Sequence, residues 1–141
     1  MSKAVVVIQC DITCRRCSGF ACSETFYKRN DYFQDYPVDT LYVPMTCGGC
    51  CGKGLSAKLS HFVKLAKRKM DISPSDVSVH LASCITTENR HFERCPHFDY
   101  MVSIIRKNGL TQIVEGSYLS KKAESKRASG LYKTYEPLKN S

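Results

Sequence analysis

The feature that most constrains the fold is the alternation of apolar runs typical of strands with segments of helical periodicity. The first run is continuous and rich in β-branched residues, which is typical of a strand buried on both faces. The predicted strands are Lys3–Gln9, Thr40–Pro44, Asp76–Ala82 and Leu110–Gly116, and the predicted helices are Ser23–Phe33, Leu55–Lys69 and Pro96–Lys107. Strands that alternate with helices imply right-handed βαβ crossovers. We therefore predict a small doubly wound α/β fold, with a mostly parallel sheet of about four to five strands and helices on both faces.

Single residues indicate where some of these elements begin and end. Ser23 is the expected N-cap of the first helix. Pro44 is expected to stop the second strand, because proline cannot donate a hydrogen bond to a strand ladder. Pro96 suits the first turn of the third helix, and Asn108-Gly109 suits its end.

A length of 141 residues fits one domain that can bury a core without cross-links. We predict a cysteine-rich α/β domain over residues 1–119 and a basic C-terminal segment over residues 120–141, with a further helix over Ser120–Ser129. The net charge of +8 is concentrated in this segment and in the predicted second helix. No nucleic-acid motif accompanies the charge, so we expect solvated basic surfaces and no nucleic-acid partner.

The chain shows no signal for a membrane. No apolar stretch approaches the roughly 18 residues of a membrane span, and the N-terminus lacks the pattern of a signal peptide. We expect no membrane partner and a cytoplasmic location, where thiols stay reduced. In that setting nine cysteines, an odd number, indicate metal ligands or redox groups rather than a disulfide framework.

All nine cysteines fall at or after the carboxyl ends of predicted strands. Those ends share one edge of a parallel sheet, where ligands bind in doubly wound folds. Cysteine also serves as a small buried hydrophobe, but that role does not explain thiols in a glycine-rich turn. Cys10, Cys14, Cys17 and Cys22 follow the first strand, Cys47, Cys50 and Cys51 follow the second, and Cys84 and Cys95 follow the third. The pattern predicts a thiol site at this edge.

The segment Cys47-Gly48-Gly49-Cys50 has the spacing of a metal-binding or redox pair. Two sulfurs at this spacing reach one tetrahedral ion, and the glycines free the turn to curl around it. Thiolates are soft donors that select zinc, monovalent copper or iron–sulfur clusters. Zinc is the expected ion, and an iron–sulfur cluster is an alternative. Further ligands would come from Cys84, Cys95 and His97 or from the first loop.

The four histidines are not equally good candidates for metal ligands. His97 is the best candidate, because it lies two residues after Cys95 at the start of a helix. His80 lies in the middle of a strand and is expected to be packed. His61 lies on the second helix, and His91 has no clear partner.

The same features suit a redox thiol. The start of a helix and Lys53 would both stabilise a thiolate, so a thiol–disulfide oxidoreductase is the alternative function. Cys47 and Cys50 would then exchange, and Cys84 or Cys95 would resolve the mixed disulfide. The spacing Cys10-x-x-x-Cys14-x-x-Cys17 also matches radical enzymes that hold an iron–sulfur cluster and S-adenosylmethionine, but the chain is short for such a barrel.

An ordered set of motifs resembles the CGGC-domain proteins over nearly the whole predicted domain. The motifs are Cys17-Ser18-Gly19-Phe20-Ala21-Cys22, Cys47-Gly48-Gly49-Cys50 with Gly52-Lys53, Leu81-Ala82-Ser83-Cys84, Cys95-Pro96-His97 and Val114-Glu115-Gly116. The resemblance implies metal binding. From the one-sided set of cysteines we expect zinc held mainly by thiolates, in a sensing, storage or structural role. The ligands that the resemblance implies are Cys10, Cys17, Cys22, Cys47, Cys50, Cys84, Cys95 and His97. Cys51 and Tyr118 depart from the family pattern, which has proline and histidine there.

Overall fold

The computed structural model describes residues 3–11, 13–15, 17–49, 54–82, 85 and 95–117. Strands and helices alternate along this part of the chain. They are β1 (Ala4–Gln9), α1 (Phe20–Tyr27), β2 (Leu41–Thr46), α2 (Leu55–Met70), β3 (Val77–Leu81), α3 (Phe98–Lys107) and β4 (Gln112–Glu115). Short 3₁₀ helices lie at Thr13–Arg15, Asp31–Phe33 and Pro74–Asp76.

The four strands form one sheet in the order β2-β1-β3-β4, and every neighbouring pair is parallel. The register pairs Gln9 with Thr46, Ile8 with Leu81, and Leu81 with Glu115. All four strands therefore end at the same edge of the sheet. This arrangement confirms the predicted small α/β fold with a parallel sheet.

Side chains of β1, one of the two central strands, alternate between two apolar cores on opposite faces of the sheet. Ala4, Val6 and Ile8 pack in a cluster with residues of α2 and α3. Val5 and Val7 point to the other face of the sheet, where they pack with Phe26 and Phe33. Because β1 has helices on both sides, its run from Ala4 to Ile8 is fully buried. The prediction of helices on both faces is confirmed.

The predicted first helix is wrong in its bounds. The helix begins at Phe20, where the Ser18 hydroxyl accepts the backbone N–H of Phe20 at 3.3 Å and Gly19 adopts a left-handed conformation with φ 80°. Ser23 lies inside the first turn and does not cap the helix. Ser18 and Gly19, five and four residues before Ser23, start the helix three residues earlier than predicted, and the helix ends at Tyr27.

The chain after α1 turns sharply instead of continuing as a helix. Arg29 and Asp31 both have positive φ angles, of 55° and 52°. The guanidinium of Arg29 donates to the carbonyls of Phe26, Tyr36 and Pro37, the last at 2.8 Å. These bonds hold the segment between α1 and β2 against the helix.

The expectation that Pro44 stops the second strand is also wrong. Pro44 lies inside β2, opposite Val7, and the strand continues to Thr46. Because β2 is at the edge of the sheet, a residue without an N–H can face solvent there at no cost in ladder hydrogen bonds.

The third helix, α3, begins at Phe98, two residues after Pro96, and His97 is its N-cap residue.

The basic residues of the second helix, Lys64, Lys67, Arg68 and Lys69, are exposed. In the part of the chain that the structure describes, no helix is long and apolar enough to cross a membrane. The predicted C-terminal segment 120–141, with its helix Ser120–Ser129, lies outside the described residues. Its separation from the α/β domain stays a prediction.

Candidate functional site

Cys10 and Cys47 follow directly after two paired strand residues. Gln9 and Thr46 form the last pair in the register of β1 and β2, and the backbone N–H of Cys47 donates to the Gln9 carbonyl at 3.0 Å. The strand ladder thus extends to the first residue beyond β2. Neighbouring strands lie about 4.8 Å apart, so the two cysteines begin adjacent loops at the carboxyl edge of the sheet.

The third strand ends beside the first. The N–H of Ala82 donates to the Ile8 carbonyl at 2.9 Å, and the N–H of Gly116 donates to the Leu81 carbonyl at 2.8 Å. The chain from β1 crosses toward β2, whereas the chain from β3 crosses toward β4. In doubly wound sheets the usual ligand position is the point where the strand order reverses in this way, here between β1 and β3.

Cys95 fixes the start of α3 at this edge. Its N–H donates to the Ile85 carbonyl at 2.7 Å, and its carbonyl accepts the N–H of Phe98 at 3.0 Å. Cys10, Cys47 and Cys95 all pack against the apolar cluster formed by α2, α3 and the sheet. Three of the predicted ligands therefore share the α2–α3 side of the sheet.

Cys47 lies in a tight, buried turn. Its side chain is 8% exposed, and its thiol donates to the Gly49 carbonyl at 3.5 Å. Gly48 has φ 78°, and a Cβ at this position would lie 2.7 Å from the Cα of Gly54. The two ends of the glycine-rich turn thus touch through backbone atoms, which only glycine allows.

Asp11, Thr46 and Lys58 form a polar group next to Cys10 and Cys47. The Thr46 hydroxyl donates to the Asp11 carboxylate at 2.9 Å, and the Lys58 ammonium donates to Oγ1 of Thr46 at 2.7 Å. The sequence pattern indicated Lys53 as the cation at this turn, and Lys53 lies outside the described residues. Lys58 was missed because its position on α2 reads as a solvated helix face.

Cys14 lies inside the loop between β1 and α1. Its N–H donates to the Cys10 carbonyl at 2.9 Å, and its thiol donates to Oε1 of Gln9 at 3.6 Å. Burial raises the pKa of Cys14, and the charges of the other three cysteines of this segment, with that of Asp11, raise it further. Cys10, Cys17 and Cys22 therefore each lie within electrostatic reach of Cys14.

Cys22 belongs to the other side of the sheet. It lies in the first turn of α1, not in the loop where the sequence placed it, because the helix begins at Phe20. Its side chain packs against the cluster of Val5, Val7 and Phe26, and its Sγ lies 3.2 Å from Oγ of Ser117. The structure does not bring Cys22 together with Cys47.

His80 is packed, as predicted, and fully buried. Its Nδ1 donates to the Gly116 carbonyl at 2.7 Å, so Nε2 is the unprotonated nitrogen and accepts the Tyr36 hydroxyl at 2.6 Å. Burial lowers the pKa of His80 to about 4. With both nitrogens engaged inside the protein, His80 is not available as a ligand.

The remaining candidates lie apart or outside the described residues. His97 is half-buried at the N-cap of α3, and His61 is exposed on α2. Among the described residues, no three Cys, His, Asp or Glu side chains lie close enough together to hold a metal ion. Cys50, Cys51, Cys84 and His91 fall outside the described residues.

A comparison with family models adds to this geometry. The model described as the CGGC domain matches residues 4–118, from the first residue of β1 to just beyond β4. No curated protein and no solved structure matches the chain. The match covers far more than half of the 141 residues. The chain therefore belongs to the CGGC-domain family.

Proposed function

We propose that this protein binds a soft metal ion, with zinc as the expected ion, at the carboxyl edge of the sheet on its α2–α3 side. The proposed ligands are Cys10 and Cys47, completed by Cys50 and Cys84, and Cys95, on the same side of the sheet, is the alternative to Cys10. The role would be sensing, storage or structural, in a reducing cytoplasmic setting where the thiols remain available.

The observation that carries the proposal is the pairing of Cys10 with Cys47. Both follow directly after the registered pair Gln9 and Thr46, and both pack against the same apolar cluster. A tetrahedral zinc ion with Zn–S distances of about 2.3 Å needs sulfurs only about 3.8 Å apart. Two thiols on adjacent strands can meet that requirement through side-chain rotation.

The chemistry of the donors also suits a soft cation. The six described cysteines are thiols, and none lies in a disulfide. Thiolates that crowd together at one edge repel one another, and a divalent cation relieves that repulsion. Fewer than three described donors lie close enough for one ion. A four-coordinate site therefore needs both Cys50 and Cys84, which the sequence places three residues after Cys47 and two residues after Ala82.

The full set of eight ligands implied by the family is larger than one tetrahedral site can use. Cys22 packs on the α1 side of the sheet, with its thiol against Ser117, so we leave it out of the proposed site. Cys17 lies in the same loop as Cys14, next to α1. His97 remains an alternative nitrogen donor, because it lies two residues from Cys95.

Thiol–disulfide exchange by Cys47 and Cys50 is the alternative function. An exchanging cysteine must be reached by its substrate disulfide and must lose its proton. Cys47 is only 8% exposed and its thiol donates to a carbonyl, which weighs against the role of attacking thiol. An iron–sulfur cluster would use the same thiolates, and the iron content of the protein separates it from zinc.

Elemental analysis of anaerobically purified protein tests the proposal, combined with thiol titration on the same sample. We expect about one zinc per chain and little iron, with the liganded thiols protected until a chelator is added. Cys47→Ser should lower the zinc content sharply. Cys22→Ser is the matched control and should retain it. Metal-free wild-type protein with all thiols reactive would overturn the proposal.

A further inference from the structure

A second Cys-x-x-Cys segment, Cys14-Arg15-Arg16-Cys17, lies in the loop between β1 and α1. Cys14 is in the 3₁₀ helix Thr13–Arg15, and Cys17 precedes the cap residues of α1. Both cysteines are thiols and both are half-buried, so small molecules can reach them. Cys-x-x-Cys is the spacing at which two cysteines exchange between a dithiol and a disulfide.

The Cys14 thiol contacts Gln9, and the Gln9 side chain lies against Gly19 at the start of α1. The thiol donates to Oε1 of Gln9 at 3.6 Å. The amide of Gln9 in turn packs against Gly19, where a Cβ would lie 3.0 Å from its Nε2. Burial raises the pKa of Cys14, and of the neighbouring thiols Cys17 contributes most to that rise. Cys17 is the thiol that completes a Cys-x-x-Cys spacing with Cys14.

We propose that Cys14 and Cys17 form a dithiol–disulfide pair that a low-molecular-weight disulfide of the glutathione type oxidises. This pair is separate from the proposed metal ligands and from Cys47 and Cys50. Arg15 is exposed between the two cysteines. Its positive charge attracts an anionic disulfide such as glutathione disulfide.

The hydrogen bond to Gln9 assigns the order of the two steps. An amide oxygen only accepts, so the Cys14 sulfur carries its proton in the reduced state. The thiolate of Cys17 attacks one sulfur of glutathione disulfide, and a glutathione thiolate leaves. Cys14 then loses its proton to solvent and attacks the Cys17 sulfur, which releases the second glutathione thiolate. Two protein thiols lose two electrons and two protons, and one glutathione disulfide becomes two thiols.

Competing partners for Cys14 are engaged elsewhere. Cys22 has its Sγ 3.2 Å from the Ser117 hydroxyl on the α1 side of the sheet. Cys10 packs against the α2–α3 cluster beside Cys47. The N–H of Cys14 donates to the Cys10 carbonyl, so these two residues are close along the backbone, and the experiment must separate the two pairings.

Trypsin makes that separation direct, because Arg15 and Arg16 lie between the two cysteines. The zinc-loaded protein is treated with glutathione disulfide, its remaining thiols are alkylated, and it is then digested. We expect residues 4–15 joined to residues 17–28, with Cys14 and Cys17 identified by fragmentation of the linked peptide. Dithiothreitol added before alkylation should abolish the link.

Three variants compare thiols within the same two peptides. Cys14→Ser and Cys17→Ser should lose the link, whereas Cys22→Ser should keep it. Fragmentation of the wild-type peptide answers the same question if a variant fails to fold. An internal Cys10–Cys14 disulfide, a link through Cys22, or full alkylation of Cys14 and Cys17 after oxidation would each overturn the proposal.

Metal analysis of the oxidised sample separates this proposal from the proposed function. Retention of zinc while the link forms supports a pair distinct from the metal ligands. Loss of zinc in step with the link would contradict that distinction. A link that forms in protein without zinc would leave the redox pair standing and would count only against metal binding.

Discussion

The hydroxyl of Tyr36 donates a 2.6 Å hydrogen bond to Nε2 of His80, although 44 residues separate them in the chain. The other imidazole nitrogen donates to the Gly116 carbonyl at 2.7 Å. A single side chain of β3 thus joins the segment before β2 to the residue after β4. Ser117 follows Gly116 directly and contacts Cys22, so this bond also helps to position the α1 side of the thiol-bearing edge.

Tyr36→Phe should destabilise the protein by about 1–3 kcal/mol, because it leaves a buried acceptor on His80 without this donor. The aromatic ring remains to pack against Phe33 and His80. Tyr27→Phe is the matched control: its ring is 84% exposed, and the change should stay within about 0.5 kcal/mol. Urea unfolding of both variants measures the difference. Equal stabilities would show that the Tyr36 hydroxyl contributes nothing.

His80 should make the protein less stable as the pH falls. Burial lowers its folded-state pKa to about 4, from an ordinary value of 6.5. Between these values the unfolded chain takes up a proton and the folded protein does not, so the free energy of unfolding falls with decreasing pH. Below pH about 4 both states are protonated and this loss ends. The expected decrease from pH 7.5 to 4.5 is about 2–3 kcal/mol.

Urea unfolding at the two pH values, with chelator and reductant present, measures this decrease. His80→Gln should remove most of it, whatever the absolute stability of the variant. His61→Gln changes an exposed histidine of α2 and should leave the pH dependence intact. A His80→Gln variant with the wild-type pH dependence would rule out His80 as its source.

The fold was predictable in large part because its two central strands, β1 and β3, are buried on both faces. Ala4 to Ile8 is a continuous apolar run, Val77 to Leu81 alternates apolar residues with Ser78 and His80, and α2 has clear helical periodicity. The first and last residues of the helices and strands were harder to predict, because several nearby residues could each begin or end an element. Ser23 resembles a cap, but Ser18 and Gly19 begin the helix. Proline breaks a strand only where the ladder needs a backbone N–H, and Pro44 lies inside β2.

The thiol-bearing edge was predictable from topology, since parallel strands all end on one side. The division of the thiols between the two faces was not. It depends on the phase of α1, which carries Cys22 to the side opposite Cys47. The Tyr36–His80 contact also left no sequence signal, because the segment between α1 and β2 is irregular and its position is set by tertiary packing.

Gly48→Ala should destabilise the protein more than Gly49→Ala, by at least about 1 kcal/mol. Both glycines have positive φ angles, of 78° and 106°, so alanine is strained at either position. At Gly48 the new Cβ would also lie 2.7 Å from the Cα of Gly54, whereas at Gly49 it meets no atom within 4 Å. Thermal and urea unfolding of the two variants measure the difference, and equal losses would mean that the turn relaxes at Gly54.

Cys10→Ser should lower the affinity for zinc by at least about 100-fold, because it removes a proposed ligand. Loss of a residue that only hydrogen-bonds to a metal ligand already lowers metal affinity by about 10–100-fold. Cys14→Ser should leave the affinity unchanged. The two cysteines lie in one loop with a backbone hydrogen bond between them, so they form a matched pair. They differ in surroundings, since Cys10 packs beside Cys47 and the Cys14 thiol is bonded to Gln9. Competition with a chromophoric chelator under anaerobic conditions measures both affinities. A larger loss in Cys14→Ser than in Cys10→Ser would move the metal to the β1–α1 loop and away from Cys47.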